Sequence, residues 1–269
     1  MISTKAEFYS GTKGQLFRLV RTPKQVYAHI LFISPMFEQA NQTRHHITRS
    51  AINAYHLGIE SFIYDHFGTG DSEGELTQAS LSLWQQDILE QIKHIKAESA
   101  QDIIISLPLS AALLLSSEIL HEVDVVMLLQ SDFNGKRFVQ QFKRLALVSK
   151  LTQASKSSAT KQNHQSTVNK SIVDIAGYQV AETLLDELAS QSIATFEQCD
   201  AHCYWFEWQR TEEKGLPGRV KQQQAFAQKV NQLDTLSITD IKFWQATELQ
   251  LAEEFLTQEQ QLLTQLVKR

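Results

Sequence analysis

The residues Gly70-Asp71-Ser72-Glu73-Gly74 fit the pattern G-x-S-x-G, in which a serine on a sharp strand-to-helix turn attacks an acyl carbon. The pattern carries that chemistry only when a helix follows the serine. Here Glu73-Gly74-Glu75-Leu76-Thr77 follows, so Ser72 reads as a loop residue and not as a nucleophile. A better-placed turn is Ser106-Leu107-Pro108-Leu109-Ser110, between a run of isoleucines and a helical segment. Small residues at Ser106 and Ser110 let such a turn close, but the central residue is Pro108, which has no hydroxyl, thiol or acid–base group. The pentapeptide keeps the outline of a nucleophile turn and lacks its chemistry.

Other side chains offer binding more readily than catalysis. Glu38, Asn41 and Arg44 recur at spacings of three and share one side of a helix. They form either a polar pocket wall or a salt-bridged helix start with Asn41 as N-cap. Backbone amides around Met36 and Phe37, at the end of an apolar strand, are candidates to hold an oxyanion or carboxylate. Asp132 follows another strand, where an acid would stand in a catalytic set. His45 and His46 are adjacent and lack the i, i+4 spacing of a helical metal pair. Cys199 and Cys203, with His202 between them, would lie roughly 13 Å apart along one strand, beyond disulfide reach. They read as buried thiols. No metal and no cofactor is expected.

These residues must be positioned by an alternation of strands and helices. Apolar, β-branched runs predict strands over 15–21, 26–34, 59–65, 102–107, 123–130, 204–208 and 238–243. Helical periodicity predicts helices over 41–57, 81–97, 110–120, 222–233 and 248–267. Several strands are apolar without alternation, as expected when both faces of a parallel sheet are covered. The fold class is therefore α/β, a mostly parallel central sheet with helices on both faces.

One region breaks the rhythm. Between Phe133 and Val173 there is no acidic residue, yet Lys136, Arg137, Lys143, Arg144 and Lys150 lie there. Phe138, Phe142, Leu145 and Val148 fall on the opposite side of that helix. Residues 152–170 are Ser, Thr, Gln, Asn and Lys with almost nothing apolar, a composition expected to be mobile. Residues 133–195 read as a cap inserted into a single domain spanning 1–269. The basic run is either a solvated face or a contact with an anionic or membrane surface.

The chain has 269 residues, 42% hydrophobic and 20% charged, with net charge −5. That composition excludes a disordered or collagen-like chain, and there is no whole-chain basic field for nucleic acid. The longest apolar run, 103–115, is interrupted by Ser106, Pro108 and Ser110 and is shorter than a membrane span. Residues 1–8 have no apolar core of a signal peptide. With two cysteines, a cytoplasmic address is expected.

The loop Asp65-His66-Phe67-Gly68-Thr69-Gly70-Asp71-Ser72 resembles the loop after the fourth strand of α/β-hydrolases, where it is structural. Further blocks sharpen the likeness. Ser34-Pro35-Met36-Phe37-Glu38-Gln39-Ala40-Asn41-Gln42-Thr43-Arg44-His45, Gly135-Lys136 with Gln141-Phe142-x-Arg144-Leu145, Asp174-Ile175-Ala176-Gly177-Tyr178, and Phe243-Trp244-Gln245-x-Thr247-Glu248 occur in order over nearly the full length. Together they resemble the exosortase A system-associated hydrolases, type two. The resemblance implies an α/β-hydrolase fold in bacteria that use exosortase and make an associated exopolysaccharide. It also implies an Arg between two glycines at the nucleophile position, where this chain has Pro108 between Ser106 and Ser110. In that fold the catalytic His follows the last strand; here no His follows His202, and Phe243-Trp244 is expected to plug the site mouth. Two functions stay open. One is a protein that binds a small acyl, glycosyl or carboxylate ligand, or a protein partner, without serine-hydrolase chemistry. The other is an ester or thioester hydrolase using unusual residues such as Glu38, Arg44 and Asp132.

Overall fold

The computed structural model describes residues 2–154, 172–209, 217–246 and 248–268. Eight strands form one sheet in the order β1-β2-β4-β3-β5-β6-β9-β10. They are β1 (Lys5–Ser10), β2 (Gln15–Arg21), β3 (Ala28–Phe32), β4 (Ile59–Tyr64), β5 (Ile103–Pro108), β6 (Val125–Leu129), β9 (Cys199–Trp208) and β10 (Val230–Ile238). β2 pairs antiparallel with β1 and β4, and every pair from β4 to β10 is parallel. Every residue of β3, β5 and β6 is buried, which is why their sequences are continuous apolar runs.

Helices cover both faces. On one face lie α1 (Glu38–His56) and α7 (Glu253–Leu266), packed on Ile30, Phe32, Met127 and Phe206. The other carries α2 (Leu81–Glu98), α3 (Ser117–Glu122) and α6 (Pro217–Ala227) over Leu31, Ile105, Leu128 and Trp205. Side chains alternate along each strand, so neighbours such as Ile30 and Leu31 serve opposite faces.

Between β6 and β9 the chain forms α4 (Gly135–Ala154), a hairpin of β7 (Ile172–Ile175) and β8 (Tyr178–Ala181), and α5 (Glu182–Ser190). Ala176 and Gly177 both have positive φ, the geometry of a two-residue hairpin turn. Gly135 is required where α4 meets α5, because a Cβ there would lie 1.8 Å from the Leu188 carbonyl oxygen. Of the stretch 152–170 expected to be mobile, 155–170 lies outside the described residues.

Three sequence expectations are corrected. The helix expected over 110–120 is a 3-10 turn, Leu109–Leu114, followed by a separate α3. Ser116 causes the break, since its hydroxyl accepts the Ile119 amide and starts a new helix. The helix expected over 222–233 ends at Ala227, and the strand expected over 238–243 is instead β10, ending at Ile238. β10 is an edge strand with half its residues exposed and a bulge between Val230 and Gln232, so its polar composition hid it. The third correction concerns α1, which starts at Glu38 with Phe37 at the N-cap position. Asn41 lies inside the helix, exposed, and caps nothing.

Candidate functional site

The turn after β5 is sharp, but its apex is not Pro108. Pro108 closes the strand with φ −75° and ψ 137°, as its ring dictates. The left-handed residue is Leu109, at φ 52°. A proline cannot adopt that φ, so the turn register sits one residue later than the Ser106–Ser110 spacing suggests. Its flanks are Leu107 and Ala111. Left-handed backbone at a branched apolar residue costs of order 1–3 kcal/mol. Leu109 repays this through burial against the α1–α7 face.

Two amides around this turn are already engaged. Ser110 N–H donates to the Gln39 side-chain oxygen at 3.1 Å. Met36 N–H donates to Ser110 Oγ at 3.0 Å. In a hydrolytic site the amide after the nucleophile and one from the β3–α1 loop hold the oxyanion. Here Gln39 and Ser110 Oγ take those positions from within the chain. Sequence reasoning singled out the Met36 amide and Ser110; Gln39 entered it only as one residue of the 34–45 block, with no role assigned.

The β3–α1 junction is also strained, with Phe37 at φ 57°. The Phe37 ring stacks on Phe142 at 4.0 Å, with Phe138 at 6.1 Å and the Tyr178 ring edge-on at 5.6 Å. The segment between β6 and β9 thus lies directly on this loop. Tyr178 Oη donates to Glu38 at 3.4 Å. Burial and the neighbouring Glu38 carboxylate both push the Tyr178 phenol upward.

The loop after β4 is tied to the sheet. Ser72 Oγ donates to the Asp65 carbonyl at 2.6 Å and accepts the Phe17 amide at 2.9 Å. Its hydroxyl is therefore an anchor. Asp65 Oδ2 accepts the Asp71 amide at 3.0 Å. A Cβ at Gly70 would lie 2.0 Å from that oxygen, and Gly70 has φ 54°, so glycine is required there. Gly68 has positive φ as well. His66 Nε2–H donates to the Ser34 carbonyl at 2.8 Å, which leaves Nδ1 as a lone-pair acceptor with no partner among the described residues. Burial holds the His66 ring in its neutral form.

After β10, Phe243 and Trp244 are both buried in a short 3-10 turn. Phe243 stacks on His46 at 3.7 Å. His46 Nε2 accepts the Ala252 amide at 2.7 Å. Burial, helped by His45, pushes the His46 pKa down to about 3. His46 is therefore a neutral packing ring, not a proton acceptor for a neighbouring hydroxyl. A void of only about 10 Å³ remains among Ser106, Pro108, His46 and Phe243, scarcely one water in size.

The remaining candidates do not gather here. Asp132 accepts from Arg137 Nε, Gln222 Nε2 and the Asn134 amide, each at 3.0 Å. Lys136, Lys143 and Arg144 are exposed on α4; Lys150 lies in the part of α4 where side chains are not described. Cys199 and Cys203 are buried and unbridged, and burial raises both thiols. No group of three or more His, Cys, Asp or Glu residues among the described residues is arranged to hold a metal.

Beside the closed turn lies an open cleft of about 270 Å³. Its floor is Phe17, Leu19, Ile47 and Ile63, and its rim holds Asn41, Arg44, Thr48, Asp65, Thr69 and Asp71. The Arg44 guanidinium is 3.8 Å from the Asp65 carboxylate and largely exposed. His66, Phe37 and Tyr178 complete the wall. Of Glu38, Asn41 and Arg44, the last two face this cleft, and Glu38 reaches it only through Tyr178.

Solved structures share this architecture. Est1E from Butyrivibrio proteoclasticus, with ferulic acid bound, superposes with a TM-score of 0.71 at 12% identity, covering 98% of this chain and 100% of that one. The fold is that of the α/β-hydrolases. Proline iminopeptidase from Mycobacterium smegmatis gives 0.63 at 15% identity, with 98% and 99% covered. An esterase domain of a Rhodothermus marinus protein gives 0.59 at 13%, with 99% and 98% covered. No protein-family model and no curated protein matches the sequence. No helix among the described residues is long and apolar enough to cross a membrane.

Proposed function

We propose that this chain is an α/β-hydrolase-fold protein that binds a small ligand or a partner and has no serine-hydrolase chemistry. The observation that carries the reading is the turn after β5. Leu109 occupies its left-handed position, and the amides of Ser110 and Met36 donate to Ser110's neighbour Gln39 and to Ser110 itself. Acyl transfer needs a nucleophile, a base to take its proton and free donors for the oxyanion. A leucine supplies no nucleophile, Phe243 and a neutral His46 fill the space beside it, and the Ser110 and Met36 amides already donate within the chain. Asp132, the acid of an unconventional set, is consumed by Arg137 and Gln222. On this reading residues 133–195 cap a single domain, which the stacking of Phe138, Phe142 and Tyr178 around Phe37 supports. The resemblance to the exosortase A system-associated hydrolases adds an accessory role beside exosortase and exopolysaccharide systems, in the cytoplasm of a bacterium.

The test is a fluorophosphonate probe together with nitrophenyl acetate and an acyl thioester, applied to the parent, Pro108→Ser and Leu109→Ser. Leu109→Ser puts a hydroxyl at the turn apex. General-base assistance contributes about 10²–10⁴ in rate, so a serine without it should give no labelling and no turnover above buffer. Labelling of the parent, or protein-dependent turnover, would return the chain to the ester or thioester hydrolases.

A further inference from the structure

We propose that the cleft between α1 and the loop after β4 takes a neutral amphipathic molecule: a small apolar body with a head that both donates and accepts hydrogen bonds, such as a primary amide or hydroxyl. This rests on the binding reading above and names the ligand class of that site. The cleft lies one strand away from the closed turn, and neither Leu109 nor Ser110 lines it.

Size and floor set the body. About 270 Å³ falls just below the roughly 300–1,000 Å³ typical of ligand pockets. Phe17, Leu19, Ile47 and Ile63 make the floor apolar, with Trp84 and Leu76 at its side. Such a floor favours a short chain or a single ring, through removal of apolar surface from water.

The rim sets the head. Its ionised groups are Arg44, Asp65 and Asp71, one cation against two anions, since burial keeps His66 neutral. A carboxylate head would meet Arg44 but also two acidic side chains. An ammonium would meet the acids but also the guanidinium. Arg44 and Asp65 face each other at 3.8 Å, too far for a direct hydrogen bond. A neutral group that accepts from Arg44 and donates to Asp65 fits between their demands. His66 also lines the cleft, and its buried Nδ1 has no hydrogen-bond partner among the described residues.

The test is ligand-observed NMR titration of the full chain with three molecules of equal length: hexanamide, sodium hexanoate and hexylammonium chloride. Hexanamide should bind saturably, and the two charged analogues at least about tenfold more weakly, a gap of about 1.4 kcal/mol. Asn41→Trp, at an exposed position on the rim, should abolish hexanamide binding with unfolding temperature unchanged. Arg44→Met should weaken it while narrowing the margin over hexylammonium. Equal or tighter binding of hexanoate or hexylammonium overturns the neutral-head assignment. Hexanamide binding that survives Asn41→Trp, or that never appears in the parent, overturns the cleft assignment. Esterase turnover with hexanamide binding intact would sink the non-catalytic reading instead and leave this one standing.

Discussion

The turn after β5 and the cleft beside β4 sit at the same end of the sheet, and the β3–α1 junction borders both. They are finished in opposite ways. At the turn the chain satisfies itself: Gln39 takes the Ser110 amide, Ser110 takes the Met36 amide, and Phe243 with His46 fills the space above. At the cleft the polar groups are loosely held, with Arg44 and Asp65 in an exposed ion pair at 3.8 Å and His66 Nδ1 without a partner among the described residues. Leu109 keeps the backbone of a reactive turn, yet a group that already donates within the chain has little left for a ligand.

Four changes would break or sharpen this contrast. The largest effect is expected from Phe243→Ala. Its ring is 3% exposed and stacked on His46, and losing a buried phenylalanine costs about 3–5 kcal/mol. Denaturant unfolding should show that loss. A cost below 1 kcal/mol would mean that the region is loosely packed.

Next is the pH dependence set by Glu259, buried in α7 against α1. Burial pushes its pKa up to about 7, only partly offset by Ser50. An acid raised above its unfolded value near 4.5 binds more protons folded than unfolded. Its protonated form is accommodated below pH 4.5, and stability falls as pH rises from there through 7. At about 1.4 kcal/mol per pKa unit the span is of order 3 kcal/mol. Glu259→Gln should flatten that slope in urea titrations. An unchanged slope would assign the effect to other groups.

A smaller effect is expected from Gln39→Leu, which strips the Ser110 amide of its acceptor. An unsatisfied buried donor costs about 1–3 kcal/mol. The same variant frees one donor at the turn, so combining it with Leu109→Ser is the most direct attempt to restore turnover. None is expected, because burial pushes the pKa of His46, the ring beside the turn, down to about 3. Smallest is Arg44→Ala at the cleft rim. An exposed ion pair contributes about 0–1 kcal/mol, so calorimetry should register almost no change in unfolding. A large loss would make the Arg44–Asp65 contact a structural strut and not a loose pair open to a ligand.

Much of the scaffold was legible. The unbroken runs that became β3, β5 and β6, and the periodicity of α2, could serve no other arrangement than a covered parallel sheet. The loop after β4 was also legible, since its glycines and Ser72 act within a few residues of one another. The edge strand β10 was not, because half-exposed strands carry the polar composition of a helix surface. Of the site, the sequence shows directly that Pro108 stands between Ser106 and Ser110 and that no His follows His202.

What the sequence by itself determined is composition along the chain: which stretches must be buried, where a turn must fall, and which chemical groups are missing. Tertiary structure decided the rest. Whether Pro108 or Leu109 sits at the apex depends on which residue takes positive φ, and proline's ring settles that only once the strand end is known. Gln39, Ser110 and Met36 meet because β3 and β5 are neighbours in the sheet. The cleft exists because α1 leaves the floor of β2 and β4 partly uncovered beside the loop that starts at Asp65. A hydrogen bond's direction and a gap between elements are properties of packing, where distances between residues far apart in the chain are first defined.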